Sequence, residues 1–182
     1  MQTDQQHEVK LSSHDLNKCI YFAELHLKEV EKNKLQNKFE LQNDDNNFQI
    51  VLQGYLGERA VGLYFGYSTS FVPFSNLPKA EQPADVLGYE VRTVKYRKAQ
   101  LITRIGDKVC DYICVSIPPR STTATIKGWS GYTRTLTQAN WDRTLNWKGD
   151  RRCYSMLEID LLPMDMLPAT PELIAHQEML YQ

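Results

Sequence analysis

Ala84-Asp85-Val86-Leu87-Gly88-Tyr89-Glu90-Val91-Arg92-Thr93 is the stretch at which the sequence changes its period. Upstream, apolar residues recur at helical steps; downstream, they come in short β-branched and aromatic runs. Within the stretch, Asp85 ends a short extended segment, Gly88 permits a turn and Glu90 opens a strand. Glu90 and Arg92 are two apart, so on a strand both point to one face, while Val91 and Thr93 point to the other. Two carboxylates brought together in this way repel unless a cation sits between them, and hard divalent ions prefer oxygen ligands. The expectation is a cluster of acid, acid and base on one side of a hairpin. The plainer alternative is a turn aspartate beside an exposed Glu90–Arg92 ion pair.

Working outward toward the N-terminus, the first ten residues are polar and are expected to fray. Ser12 or Ser13 caps a helix carrying Leu16, Cys19, Ile20, Ala23, Leu27 and Val30 at steps of three and four. Lys32–Asn47 reads as a loop. A second helix covers about residues 48–65, where Gly54 and Gly57 cost about 1 kcal/mol each relative to alanine and so suggest close packing. Pro73 and Pro78 bracket a loop. Toward the C-terminus, 89–95, 99–104, 112–117 and 123–128 read as strands of an antiparallel run, with tight turns at Arg97–Lys98 and Ile105–Lys108. Gln138–Trp147 is a short helix or irregular, Cys153–Ile159 a further strand, and Thr170-Pro171-Glu172 opens a last helix. The order predicts an α/β (α+β) layered fold. It divides into a flexible segment 1–12, one domain over 13–165 with its core in about 48–163, and a C-terminal helix or tail at 166–182.

The chain has 182 residues, 42% hydrophobic and 24% charged, which excludes collagen-like and wholly disordered classes. No apolar run reaches the roughly 18 residues of a membrane helix, so no membrane partner is expected. The start lacks the pattern of a secretory signal, and a cytoplasmic location is expected. Cys19, Cys110, Cys114 and Cys153 read as small buried thiols rather than disulfides or zinc ligands. Charge is uneven: residues 1–89 carry a balance of −4, residues 90–152 of +8 and residues 153–182 of −5. A basic middle suits a polyanion or, equally, a solvated sheet surface. Its cations Lys95, Arg97, Lys98, Arg104, Lys108, Arg120 and Lys127 are the candidate phosphate contacts. Tyr89, Tyr96, Trp129 and Tyr132 could stack on unpaired bases, although such aromatics more often pack in a core.

Gly57-Glu58-Arg59-Ala60-Val61 on a helix, then Asp85 and Glu90 five apart with Arg92 two further on, resembles the PD-(D/E)XK nuclease superfamily. The 85–93 segment is also similar to the "DVGGxEVRT" stretch of small phage and bacterial proteins of that type. Gly128-Trp129 and Leu161-Leu162-Pro163 match that group's later "GW" and L-x-P motifs. The likeness spans about residues 50–163.

The resemblance implies a restriction-endonuclease-like core, a four-stranded mixed sheet flanked by helices, in a bacterial or phage-infected cell. It implies a metal-dependent deoxyribonuclease in which Asp85, Glu90 and the Val91 carbonyl bind Mg²⁺ or Mn²⁺, and Glu58 holds the metal or its waters. DNA is the implied partner, and a homodimer follows by analogy. Arg92 stands where the family has lysine. Arginine stays protonated, so it can hold a phosphate and stabilise a transition state but cannot act as a base. Lys95 would need a β-bulge to reach the same face, and Gln100 on the next strand is another candidate for orienting water. The same substitution leaves open a catalytically inactive module that binds nucleic acid or protein.

Overall fold

In the computed structural model, residues 7–32, 44–67, 84–95, 100–104, 106–137, 141–142 and 153–180 are described. Strand β1 (His7–Lys10) leads into helix α1 (Ser13–Lys32), followed by helix α2 (Asp44–Tyr64). Strands β2 (Glu90–Val94), β3 (Gln100–Arg104), β4 (Asp111–Ser116) and β5 (Thr123–Gly131) come next. A one-turn helix α3 (Tyr132–Thr135), strands β6 (Trp141–Asp142) and β7 (Cys153–Leu157), and helix α4 (Pro171–Leu180) complete the chain order. Among the described residues no helix is long and apolar enough to cross a membrane.

The central sheet is mixed and has the order β1-β5-β4-β2, with β2 parallel to β4 and the other pairs antiparallel. Strand β4 is buried on both sides, and its alternating residues divide between two cores. Ile113 and Val115 join Ala60 and Val61 of α2, Val91, Ile126, Trp129 and Leu173. Tyr112 and Cys114 face the other way, onto Leu101 of β3 and Met156 of β7. Helix α1 packs on α2 through Cys19, Ala23 and Tyr55, forming an outer helical layer. Cys19, Cys114 and Cys153 are buried and Cys110 half-buried, and all four are free thiols.

Three expectations need correction. The N-terminal residues 7–10 do not fray: β1 pairs with β5 from His7↔Ile126 to Lys10↔Thr123, and Leu11 is buried behind it. Its exposed Glu8 and Lys10 alternate with half-buried His7 and Val9, a pattern too short and polar to stand out. The strands from 89 to 117 are not an antiparallel meander. Strand β3 leaves the central sheet and pairs with β7 in a second sheet of order β3-β7-β6, so that β2 and β4 meet directly in parallel. Parallel neighbours need a crossover, and β3 lies inside it. The turn expected at Arg97–Lys98 lies outside the described residues, but the strands on either side of it are not partners. The region expected to be a helix or irregular at 138–147 contains the short strand β6.

The starts of α1 and α4 follow the predicted chemistry more closely, whereas α2 begins at Asp44, inside the run read as a loop to Asn47. Ser12 is the cap of α1: its Oγ accepts from the Asp15 amide at 3.2 Å, while Asp15 Oδ2 accepts from the Ser12 amide at 2.9 Å. Thr170 caps α4, its Oγ1 accepting from the Leu173 amide at 3.1 Å. The Gly128-Trp129 and Leu161-Leu162-Pro163 motifs also meet. The backbones of Trp129 and Leu162 exchange two hydrogen bonds of 2.9 Å, and Trp129 Nε1 donates to the Pro163 carbonyl at 3.0 Å.

Candidate metal centre

The hairpin at residues 86–89 determines where the first two acids go. Leu87 (φ 48°) and Gly88 (φ 84°) both adopt positive φ, as the primed two-residue hairpin turns require. Val86 and Tyr89 close the turn with reciprocal backbone hydrogen bonds of 3.0 and 2.8 Å. Asp85 and Glu90 are the residues that flank this closing pair, one on each arm. Asp85 Oδ2 accepts from the Val91 amide at 2.8 Å, which fixes its carboxylate against the start of β2. The turn is itself anchored from far along the chain. Thr170 Oγ1 donates to the Leu87 carbonyl at 2.5 Å, and the Tyr89 hydroxyl donates to the Pro168 carbonyl at 2.6 Å.

Glu58 arrives from α2. Gly57, its neighbour, lies so close to Thr93 of β2 that a Cβ there would collide with the Thr93 hydroxyl. The missing side chain lets the helix approach the strand, with Glu58 at the next position of the helix. Burial, followed by the charges of Asp85 and Glu90, pushes the Glu58 carboxyl well above the usual range, against the pull of Lys108. Asp85 is raised to about 6 by burial and the Glu90 charge, which outweigh the Val91 amide, Lys108 and Arg92. The three acids named from the sequence thus lie within reach of one another's charge.

Two further residues enter this cluster. Lys108 Nζ sits 2.7 Å from Glu90 Oε2 and 3.9 Å from Asp85 Oδ1, with side-chain exposures of 9% for Lys108 and 3% for Glu90. Arg92 bridges Glu90 Oε1 at 3.4 Å and Asp107 Oδ2 at 3.0 Å, and lies over the Tyr112 ring at 5.2 Å. Asp107 Oδ2 also accepts from the Arg104 amide at 3.0 Å, capping the turn between β3 and β4. The Arg92 guanidinium, drawn from the sequence as a phosphate contact, thus has both Nη groups engaged, while its buried Nε has no acceptor. Burial lowers its proton affinity, but the Glu90 and Asp107 charges outweigh that and raise it.

Neither sequence candidate for replacing the missing lysine lies beside Arg92. Strand β2 stays in regular register with β4 to Val94, so there is no bulge to turn Lys95 around. Gln100 is exposed at the start of β3, which pairs with β7 and not with β2. Lys108, by contrast, was read as an outer phosphate contact. In a meander it would lie two strands from Glu90, about 10 Å away. With β3 expelled, parallel pairing sets the start of β4 beside the start of β2 (Glu90↔Tyr112), and Lys108 comes with it. Asp107 had only its Gly-Asp turn signal, which located the turn but gave no hint of Arg92.

The other candidate cations are dispersed. Lys127, at the β-bulge that interrupts the β4–β5 register, pairs with Glu158 at 3.1 Å. Arg120 is exposed in the turn before β5, and Lys95 and Arg104 are half-buried. Arg97, Lys98 and Tyr96 lie outside the described residues. Tyr89 is buried and stacks on Phe65, Trp129 is buried, and Tyr132 stacks on Tyr112, so these aromatics serve packing.

Among the described residues no three acidic, histidine or cysteine side chains close around one point as a ready metal cage. The donor chemistry nevertheless fits a hard divalent ion, because Glu58, Asp85 and Glu90 offer only oxygen and disfavour one another's charge. Val91 lies on the same strand, with its side chain in the core and its amide taken by Asp85. Among the described residues, the carboxylates Glu58, Asp85, Glu90 and Asp107 interact with the cations Arg92 and Lys108. No protein-family model, curated protein or solved structure matches the chain.

Proposed function

We propose that the chain is a divalent-metal-dependent DNA nuclease of the PD-(D/E)XK type, with Asp85, Glu90 and Glu58 at Mg²⁺ or Mn²⁺. One observation carries the reading: a two-residue turn sets Asp85 and Glu90 on facing arms, Asp85 held by the Val91 amide, and their charges reach Glu58 of α2. A bound divalent cation supplies a hydroxide near neutral pH and a positive charge facing the phosphate. The chain's own groups do the rest. Asp85 is oriented by the Val91 amide, and Glu90 is held by Lys108 and Arg92. The excess positive charge of residues 90–152 supports DNA as the polyanion. A pair of chains cutting two strands is part of the same reading.

The Lys108–Glu90 ion pair favours one second reading. An ammonium fixed among the acids could replace the metal altogether, leaving a module that binds nucleic acid or protein without cutting. Cleavage of linear and covalently closed circular DNA in Mg²⁺, Mn²⁺ or EDTA separates the two. The nuclease reading expects metal-dependent loss of substrate, with Asp85→Ala and Glu90→Ala each slower by at least about a thousandfold. Cleavage that survives Asp85→Ala sinks the assignment, and DNA binding without cleavage in any metal favours the module.

A further inference from the structure

We propose that Lys108 is a built-in competitor for the divalent cation, its ammonium holding Glu90 and Asp85 while no ion is bound and withdrawing when the ion loads. The inference rests on the metal-dependent reading above and concerns how that site is regulated. Lys108 Nζ contacts both acids that the hairpin presents, at 2.7 and 3.9 Å. An ammonium there does electrostatically what a metal would do, so the two exclude each other from the same carboxylate oxygens. The lysine is also built to leave. Its carbonyl is pinned by the Tyr112 hydroxyl at 2.6 Å, and the neighbouring Asp107 is tied to Arg92 and to the Arg104 amide. The backbone therefore stays in place while a flexible four-carbon stem carries the charge. Arg92 remains on Glu90 and Asp107, and so keeps Glu90 oriented when the ammonium goes.

Two measurements on the full chain test this, and neither depends on turnover. In titration calorimetry with Mn²⁺ alone, Lys108→Met binds at least tenfold more tightly than the unaltered protein, and Glu90→Gln abolishes the signal in both backgrounds. In reductive methylation followed by peptide mass spectrometry, Lys108 is protected in EDTA and reacts severalfold faster in Mn²⁺, while exposed Lys10 serves as the unchanged control. Equal Mn²⁺ affinities for the protein and Lys108→Met overturn the competitor and leave the metal site standing. Weaker binding by Lys108→Met also overturns it, as does Mn²⁺ binding that survives Glu90→Gln. No Mn²⁺ binding in either protein removes the metal reading and the inference together. Should Lys108→Met fail to fold, the labelling of the unaltered protein decides: protection that does not fall in Mn²⁺ refutes the proposal.

Discussion

Glu58 and Arg59 are neighbours on α2, yet they belong to two charge clusters of opposite character. Arg59 reaches α1, where its Nε sits 2.7 Å from Asp15 Oδ1, and Ser12 donates to the other Asp15 oxygen. One acid there meets one base and the donors of a helix start, and although burial works against it, the Ser12 and Arg59 contacts hold Asp15 at about 2. Glu58 lies within reach of the Asp85 and Glu90 charges, and both Asp85 and Glu58 are driven upward. The first cluster ties α2 to α1 through Arg59 and Asp15. It lowers its acid and fastens the fold; the second raises its acids, the behaviour that the proposed metal reading would need of a cation site.

Breaking the first cluster has the largest expected effect on stability. Asp15→Ala removes the carboxylate that Arg59 Nε contacts and the acceptor of the Ser12 amide, and should cost about 3 kcal/mol in urea unfolding. A loss under about 1 kcal/mol would mean that the pair is solvated and the contrast overstated. Gly57→Ala comes next, at about 2 kcal/mol, because the new Cβ meets Thr93; Thr93→Ala in the same chain should recover part of the loss. That double variant shows whether the helix-to-strand distance sets the second cluster.

Neutralising the second cluster should move stability the other way. In EDTA at pH 7, Glu58→Gln and Asp85→Asn should each melt a few degrees higher than the unaltered protein, while losing Mn²⁺ affinity. The pH dependence follows from the same raised acids. Asp85 titrates at about 6 when folded against 3.8 otherwise, so between these values the folded chain binds more protons than the unfolded one. Stability in EDTA should therefore rise as pH falls from 7 through 6 toward 4, and Asp85→Asn should flatten that rise. Asp15 behaves oppositely: its contribution is complete above 3.8 and lost as pH falls through about 2. A melting temperature that only falls on acidification would contradict the contrast. The smallest effect, about 1 kcal/mol, is expected for Thr170→Val, which removes the α4 cap and the Leu87 contact.

Local chemistry was legible in the sequence and long-range pairing was not. The periods of α1 and α2, the Ser12 and Thr170 caps, the turn at Gly88 and the close approach at Gly57 are each written in a few adjacent residues. So is the placing of Asp85 and Glu90 on either side of the turn, because both belong to one short pattern. The displacement of β3 depends on Leu101 and Thr103 finding cover against β7 more than fifty residues later, and nothing within β3 marks that choice. Lys108 followed from the same choice. Its position beside Glu90 is a product of topology, so its charge looked like one more surface cation. The dispersal of the basic residues has a similar origin, since Lys127 finds Glu158 across a bulge that strand alternation does not predict.

The anchoring of the 86–89 turn by Thr170 and Pro168 bears on how the protein comes to life on the ribosome. Leu87 holds a positive φ that a side chain resists by about 1–2 kcal/mol, and part of what keeps it there is a hydroxyl encoded more than eighty residues downstream. Chains emerge at about 5–20 residues per second, so several seconds separate the synthesis of Asp85 from that of Thr170. During that interval the central strands can pair, but the hairpin carrying the acids lacks its clasp. The turn that carries Asp85 and Glu90 is therefore clasped last, after the scaffold that supports it.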